Sequence, residues 1–149
     1  MCIRDRLYAA AGGAAWGDSS GWLKGDPCGS WHGVSCDATN TAVVGLDLSS
    51  NRLMGSVPTD VAELGSLGSV SFGNNSLSGT VPPQLSKLSG LSSLQLDTTS
   101  LSGTVPPQLS NLSGLSYLYL DTTSLSGTVP PQLSNLLSLI HISEPTRPY

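Results

Sequence analysis

Few side chains in this chain are equipped for chemistry, and their spacing restricts what they can do. His32 lies between Cys28 and Cys36 in a segment rich in Trp and Gly. A zinc site needs more ligands than two Cys and one His supply. General-base chemistry at His32 would need a matching nucleophile, and no carboxylate pair stands at a defined catalytic spacing. His32 is therefore expected to be structural, the chain is read as non-enzymatic, and no cofactor or metal is expected.

A second set of groups recurs along the chain instead of clustering. Tyr117 and Tyr119 stand where Ser93 and Gln95 stood 24 residues earlier, and Asp97 recurs as Asp121. A pair of tyrosines offers apolar ring faces with hydroxyl tips, a chemistry enriched at recognition surfaces. Stacked Asp97 and Asp121 repel unless solvated or bridged by a cation. A calcium site wants six or more oxygens, and only Gln95 and Thr hydroxyls stand nearby, so a solvated acidic strip is expected. Thr80, Thr104 and Thr128 also recur, as do Thr98-Thr99 and Thr122-Thr123. Asn74 and Asn111 each open an Asn-x-Ser glycosylation triplet.

What positions these groups is a 24-residue period. LSGTVPPQLSKLSGLSSLQLDTTS (Leu77–Ser100) is followed at once by LSGTVPPQLSNLSGLSYLYLDTTS (Leu101–Ser124), and a diverged copy precedes them at Leu53–Ser76. Self-similarity at this period marks a solenoid, because one short unit cannot bury its own apolar face. Within LxxLxL the last two apolar residues alternate with a polar one, as in a half-buried strand. Strands are expected over 43–48, 67–72, 91–96 and 115–120. Leu94 and Leu96 then point inward, and Ser93, Gln95 and Asp97 point outward. The VP or VPP that follows fixes φ and removes a backbone donor, which excludes it from the middle of a broad sheet. The PxxLxxL return places its leucines on one side of a helical or 3₁₀ turn.

Adjacent parallel strands lie ~4.8 Å apart. Ser93 should therefore sit beside Tyr117, Gln95 beside Tyr119, and Asp97 beside Asp121. The copies Leu77–Ser100 and Leu101–Ser124 differ at three positions, Lys87/Asn111, Ser93/Tyr117 and Gln95/Tyr119. Two of the three are outward strand positions, so Ser93, Gln95, Asp97, Tyr117, Tyr119 and Asp121 form the candidate ligand-binding set.

The frame LxxLxLxxNxLxGxxPxxL, from about Val43 to Leu136, resembles the plant-type leucine-rich repeat. Upstream, Trp16, Trp22, Asp26-Pro27-Cys28, Trp31, Gly33-Val34 and Cys36 resemble the N-terminal cap of receptor-like and secreted members of that family. The resemblance implies an α/β solenoid: a right-handed leucine-rich repeat superhelix with a concave parallel β-sheet and short 3₁₀ or helical turns on the convex side. It implies an extracellular or cell-surface recognition module that binds protein, peptide or glycan. It further implies that Cys28 and Cys36 form the cap disulfide; two free core thiols are the alternative. At the position where the family pattern has Asn, the chain has Asn51 and Asn75 but then Thr99 and Thr123. A Thr hydroxyl has fewer bonding sites than an Asn amide, so the later turns are expected to be less tightly held.

Both ends look foreign to the repeat. MCIRD at Met1–Asp5 and LSLIHI at Leu137–Ile142 are encoded by opposite strands of one oligonucleotide, ATGTGTATAAGAGACAG, which resembles a sequencing-library adapter. The repeat text also departs there, since Asn111-Leu112 continues with Ser113-Gly114 but Asn135-Leu136 with Leu137-Ser138. Residues 1–6 and 137–149 are therefore expected to be artefactual, leaving a cap at 7–40 and repeats at 41–136, four plus a truncated fifth. A signal peptide and downstream sequence are expected to be missing, and the apolar face of the fifth unit to be uncovered.

Composition narrows the partners. Only 11% of the 149 residues are charged, the net charge is −4, and the six Lys/Arg are scattered singly. Nucleic-acid binding needs a basic patch, and there is none. No apolar run approaches the ~18 residues of a membrane span. Two other functions compete with recognition: ice binding through stacked Thr ladders, and a structural cell-wall or spacer role.

Overall fold

The computed structural model describes residues 3–136 and 141–143. Helix α1 (Ile3–Ala10) and a short helix α2 (Pro27–Ser30) open the chain. Strands β1 (Val34–Cys36), β2 (Val43–Asp47), β4 (Ser69–Ser71), β6 (Ser93–Gln95), β8 (Tyr117–Tyr119) and β10 (His141–Ser143) form one sheet in that order. β1 pairs antiparallel with β2, and every later pair is parallel. The strands are shorter than expected because only the outward–inward–outward triplet of each LxxLxL carries full ladder pairing. Leu94, Leu96, Leu118 and Leu120 all point inward with no exposed surface.

Each unit returns through a five-residue 3₁₀ turn: Thr59–Glu63, Pro83–Lys87, Pro107–Asn111 and Pro131–Asn135. A proline precedes every turn, with φ between −55° and −68°, the value its ring imposes anyway. Val61, Leu85, Leu109 and Leu133 drop from these turns into the core, which is one continuous cluster from Leu7 to Leu136.

A second sheet was not expected. β3 (Met54–Ser56), β5 (Ser76–Gly79), β7 (Ser100–Gly103) and β9 (Ser124–Leu125) pair in parallel along another side of the coil. Its signal was present in Ser-Leu-Ser, where Leu77 and Leu101 are fully buried and the flanking serines exposed. The adjoining Gly and Pro masked it as a turn. Gly79, Gly103 and Gly127 do hold φ of 83°, 82° and 80°, so β5 and β7 end in a conformation that favours glycine.

The cap closes the first edge. Tyr8, Trp16, Trp22 and Trp31 pack in a chain with centroid separations of 5.1, 4.9 and 4.8 Å. Their indole N–H groups donate to the carbonyls of Ala11, His32 and Lys24 at 2.8–3.0 Å. Cys28 and Cys36 are joined by a disulfide, not left as thiols. It ties α2 to β1, the strand that covers β2.

The ends have places in this fold. α1 lies against the Thr59–Glu63 turn, where Arg6 meets Asp60 and Glu63 at 3.0 Å each. β10 continues the sheet with His141 opposite Tyr117 and Ser143 opposite Tyr119. The wording of the repeat breaks after Leu136, yet apolar residues persist at its spacing in Leu136, Leu139 and Ile142. Leu133 and Leu136 of the fifth unit, expected to be uncovered, are buried, at 2% and 5% exposure. Residues 1–2, 137–140 and 144–149 of the adapter-like ends lie outside the described residues.

The Asn-to-Thr change alters how units are joined. Asn75 Oδ1 accepts from Asn51 N–H and Leu53 N–H at 3.0 and 2.9 Å, and its Nδ2 donates to the Leu48 carbonyl of the preceding unit at 2.9 Å. Thr99 and Thr123 donate to Leu96 O and Leu120 O of their own turns, both at 2.8 Å, and Thr123 Oγ1 also accepts from Leu125 N–H at 3.4 Å. Replacing Asn75 by Thr would strand two backbone donors at the unit boundary. Asn75→Thr is expected to cost about 2–4 kcal/mol in denaturant unfolding, whereas Thr99→Asn should be neutral or stabilising. Equal losses for the two substitutions would contradict this assignment.

Candidate functional site

The outward face of the larger sheet is a grid of short side chains interrupted at one rung. Successive rungs present Gly45 and Asp47, Ser69 and Ser71, Ser93 and Gln95, then Tyr117 and Tyr119. The register is the one the period implies, with Ser93 opposite Tyr117 and Gln95 opposite Tyr119. Tyr117 and Tyr119 are two residues apart on one strand and so share a face. Their rings are parallel within 1°, with centroids 6.5 Å apart. Tyr117 is 40% exposed, a large ring held toward solvent.

The neighbouring polar groups are differently committed. Ser71 Oγ donates to Gln95 Oε1 at 3.3 Å, which ties Gln95 to the preceding rung. The ladder runs on past the strands, with Asn74 N–H donating to Asp97 O and Thr98 N–H to Asp121 O, both at 2.9 Å. Gly73, Asp97 and Asp121 thus form a third column. The Asp97 carboxylate folds over Gly73, its Oδ1 2.8 Å from where a Cβ on that glycine would stand. A side chain at residue 73 would displace it.

The expected threonine ladders divide. Thr99 is 8% exposed and Thr123 half-buried, each bonded inward, so only Thr98 and Thr122 of those pairs face solvent. Both hold φ near 52°, a geometry that turns successive side chains to opposite sides. Thr80, Thr104 and Thr128 are all exposed, but they do not stack as straight rungs. In the second sheet Ser78 pairs with Ser100 and Ser102 with Ser124, two residues out of step with the repeat. Thr80 Cγ2 consequently lies 3.1 Å from where a Cβ on Gly103 would be. The hydroxyls of Ser78, Ser102 and Ser126 donate to the carbonyls of Gly55, Gly79 and Gly103 at 3.2–3.4 Å.

Of the glycosylation triplets, Asn111 is exposed at the end of its 3₁₀ turn, on the side opposite the tyrosines. Asn74 is exposed too, but its Nδ2 donates to Ser50 Oγ at 2.7 Å.

His32 belongs to a polar cluster in which Asp18 and Ser20 had given no sequence signal. His32 Nδ1 lies 3.1 Å from Asp18 Oδ2, and Ser20 Oγ donates to Asp18 Oδ1. The carboxylate therefore stands between hydroxyl and imidazole, the wrong order for His32 to deprotonate Ser20. The Ser20 hydroxyl and N–H hold the Asp18 carboxyl below its ordinary range, against a small opposing effect of burial and with help from His32. Among the described residues no group of three His, Cys, Asp or Glu is arranged to hold a metal ion.

The leucine-rich repeat assignment now rests on sequence frame, coil, paired sheets and cap together. The chain resembles plant-type leucine-rich repeat proteins, and its fold is a leucine-rich repeat solenoid with a concave parallel sheet and short 3₁₀ turns opposite. The family model described as Leucine Rich Repeat matches residues 114–136. Receptor-like protein 7 of Arabidopsis thaliana is 44% identical over 43 residues, which are 29% of this chain and only 4% of that protein's length. The solved BIR3–SERK2 complex from Arabidopsis thaliana is 29% identical with a TM-score of 0.81, over 96% of this chain and 79% of the other. A plant ice-binding protein of known structure is 32% identical with a TM-score of 0.86, over 96% of this chain and 46% of its own.

Elsewhere, the loop joining β1 to β2 is organised by one carboxylate. Asp37 accepts from Thr39 Oγ1 at 2.7 Å and from Thr41 N–H and Ala42 N–H at 2.8 and 3.1 Å. These bonds, the Thr39 hydroxyl foremost, lower its pKa from 3.8 to about 2. A depressed carboxyl stabilises the fold above its unfolded value and loses that contribution as pH falls through about 2. Carboxyl NMR should therefore show Asp37 titrating near pH 2, with Thr39→Val moving the midpoint up toward 3.8. A wild-type midpoint already there would disprove the network.

Proposed function

We propose that this chain is a non-catalytic extracellular recognition module that binds a protein, peptide or glycan partner on its concave sheet face. The observation that carries the reading is the parallel pair Tyr117 and Tyr119, the first exposed and the second half-buried. Between two otherwise near-identical units, selection or drift altered three residues, and two are these. Neither ring is needed by the core, since Leu118 and Leu120 already fill it. Exposed aromatic rings of this kind dominate recognition energetics because they bury much area at small entropic cost. The disulfide suits an oxidising compartment, and likeness to Receptor-like protein 7 supports a cell-surface or secreted setting.

The test is a peptide-display selection and a glycan array, probed with wild type and with the double variant Tyr117→Ala/Tyr119→Ala. Binders are expected to lose at least about tenfold in affinity on the variant, while its circular dichroism and unfolding midpoint stay close to wild type. Binders wholly indifferent to both substitutions would refute the concave-face assignment.

One specific observation favours a second reading, ice binding: the exposed Thr80, Thr104 and Thr128 on the opposite strip, combined with likeness to a plant ice-binding protein. Under that reading thermal hysteresis is present, survives Tyr117→Ala/Tyr119→Ala, and falls severalfold when Thr104 becomes Lys. No hysteresis in the wild type would end it.

A further inference from the structure

We propose that the concave face is built for a cationic peptide segment, and that its anchor is an arginine side chain seated on Tyr117 and Tyr119 and paired with Asp97 and Asp121. This rests on the recognition reading and specifies its partner. The charge distribution is the first ground. Outward positions of β2, β4, β6 and β8, with the column two residues beyond them, hold Asp47, Asp97 and Asp121. Among these described positions there is no Lys or Arg; Lys87 lies on the 3₁₀ side, Arg4 and Arg6 in α1, Lys24 in the cap and Arg52 in the turn after β2. The face is thus uniformly acidic where it is charged at all.

Geometry supplies the second ground. Two parallel rings 6.5 Å apart present π surfaces in one orientation, and a guanidinium is the planar cation that stacks on such a surface. Asp97 and Asp121 follow Gln95 and Tyr119 by two residues in adjacent strands, which places both residues at the same end of the aromatic rung. Asp47 is partly spent, since its Oδ1 accepts from Ser49 N–H and Oγ at 3.1 and 2.6 Å. The Asp97 carboxylate shows only a 3.5 Å approach from Thr98 Oγ1 besides its packing on Gly73.

Third, the column leading to Tyr117 is small, with Gly45, Ser69 and Ser93 in turn, while Asp47, Ser71 and Gln95 lead to Tyr119. An extended peptide can lie along the first column with few side-chain clashes. A neutral glycan would gain from the rings but would leave the carboxylates without partners.

A random peptide-display library is selected on the wild-type chain, with unbound Tyr117→Ala/Tyr119→Ala protein as counter-target. Arginine should be enriched in the recovered peptides. Changing that arginine to citrulline, its neutral planar isostere, should weaken binding at least about tenfold, and to lysine about threefold or more. Asp97→Asn/Asp121→Asn should remove most of the arginine-over-citrulline preference while leaving the unfolding midpoint unchanged. Added salt should weaken binding to the wild type more than to that variant. Peptides that depend on the tyrosines but bind equally well with citrulline would overturn the cationic anchor and leave the recognition reading standing. Failure to recover any tyrosine-dependent peptide would overturn both.

Discussion

No 24-residue unit of this chain can bury its own leucines, and everything else follows from that. Leu94 is wholly enclosed only because units on both sides cover it, and the same holds for Leu85, Leu91 and Leu96. Each enclosed leucine contributes on the order of 1.5–3 kcal/mol, but only while its neighbours stay paired. The backbone obeys the same rule, since the strands bond between units and never within one. Stability is therefore a property of the stack. The cap is the price of an open edge: β1, the disulfide and the tryptophan chain replace the missing preceding unit.

The larger sheet, its register and the 3₁₀ returns were legible in the sequence because period-two leucines and fixed prolines act locally. The second sheet was less so. β5 and β7 contain one buried residue each and end at a glycine with positive φ, so local preference reads as a turn. Only stacking makes it a sheet, and stacking is a non-local cause. The same holds for the two-residue slip that sets Ser78 opposite Ser100, which no pattern within one unit encodes. Thr99 illustrates a third limit. Its polarity suggested a surface ladder, but the turn delivers its hydroxyl to the Leu96 carbonyl inside.

At the chain's end the repeat's wording and its apolar spacing part company. Identity with earlier units is lost after Leu136, yet the spacing of Leu136, Leu139 and Ile142 is kept, and β10 pairs where a further strand belongs. A solenoid accepts any segment that offers apolar residues at the right interval and an extended backbone. Coding origin and structural use are separate questions here. The frame that admits such a segment is the same one that tolerates Ser93 becoming Tyr117.

That tolerance explains where function can reside. Along the second sheet, Ser78, Ser102 and Ser126 spend their hydroxyls on the carbonyls of the preceding strand, so the strip is already engaged in holding units together. On the concave face the strand ladder is made by backbone, and few outward side chains are engaged, Ser71 with Gln95 and Asp47 with Ser49 among them. A change there alters surface chemistry without disturbing the core. Tyr117 and Tyr119 occur at such positions, one rung from the small Ser93 and beside carboxylates that the fold does not use. Repetition holds the background constant, and the concave face is where a departure from it costs the stack least.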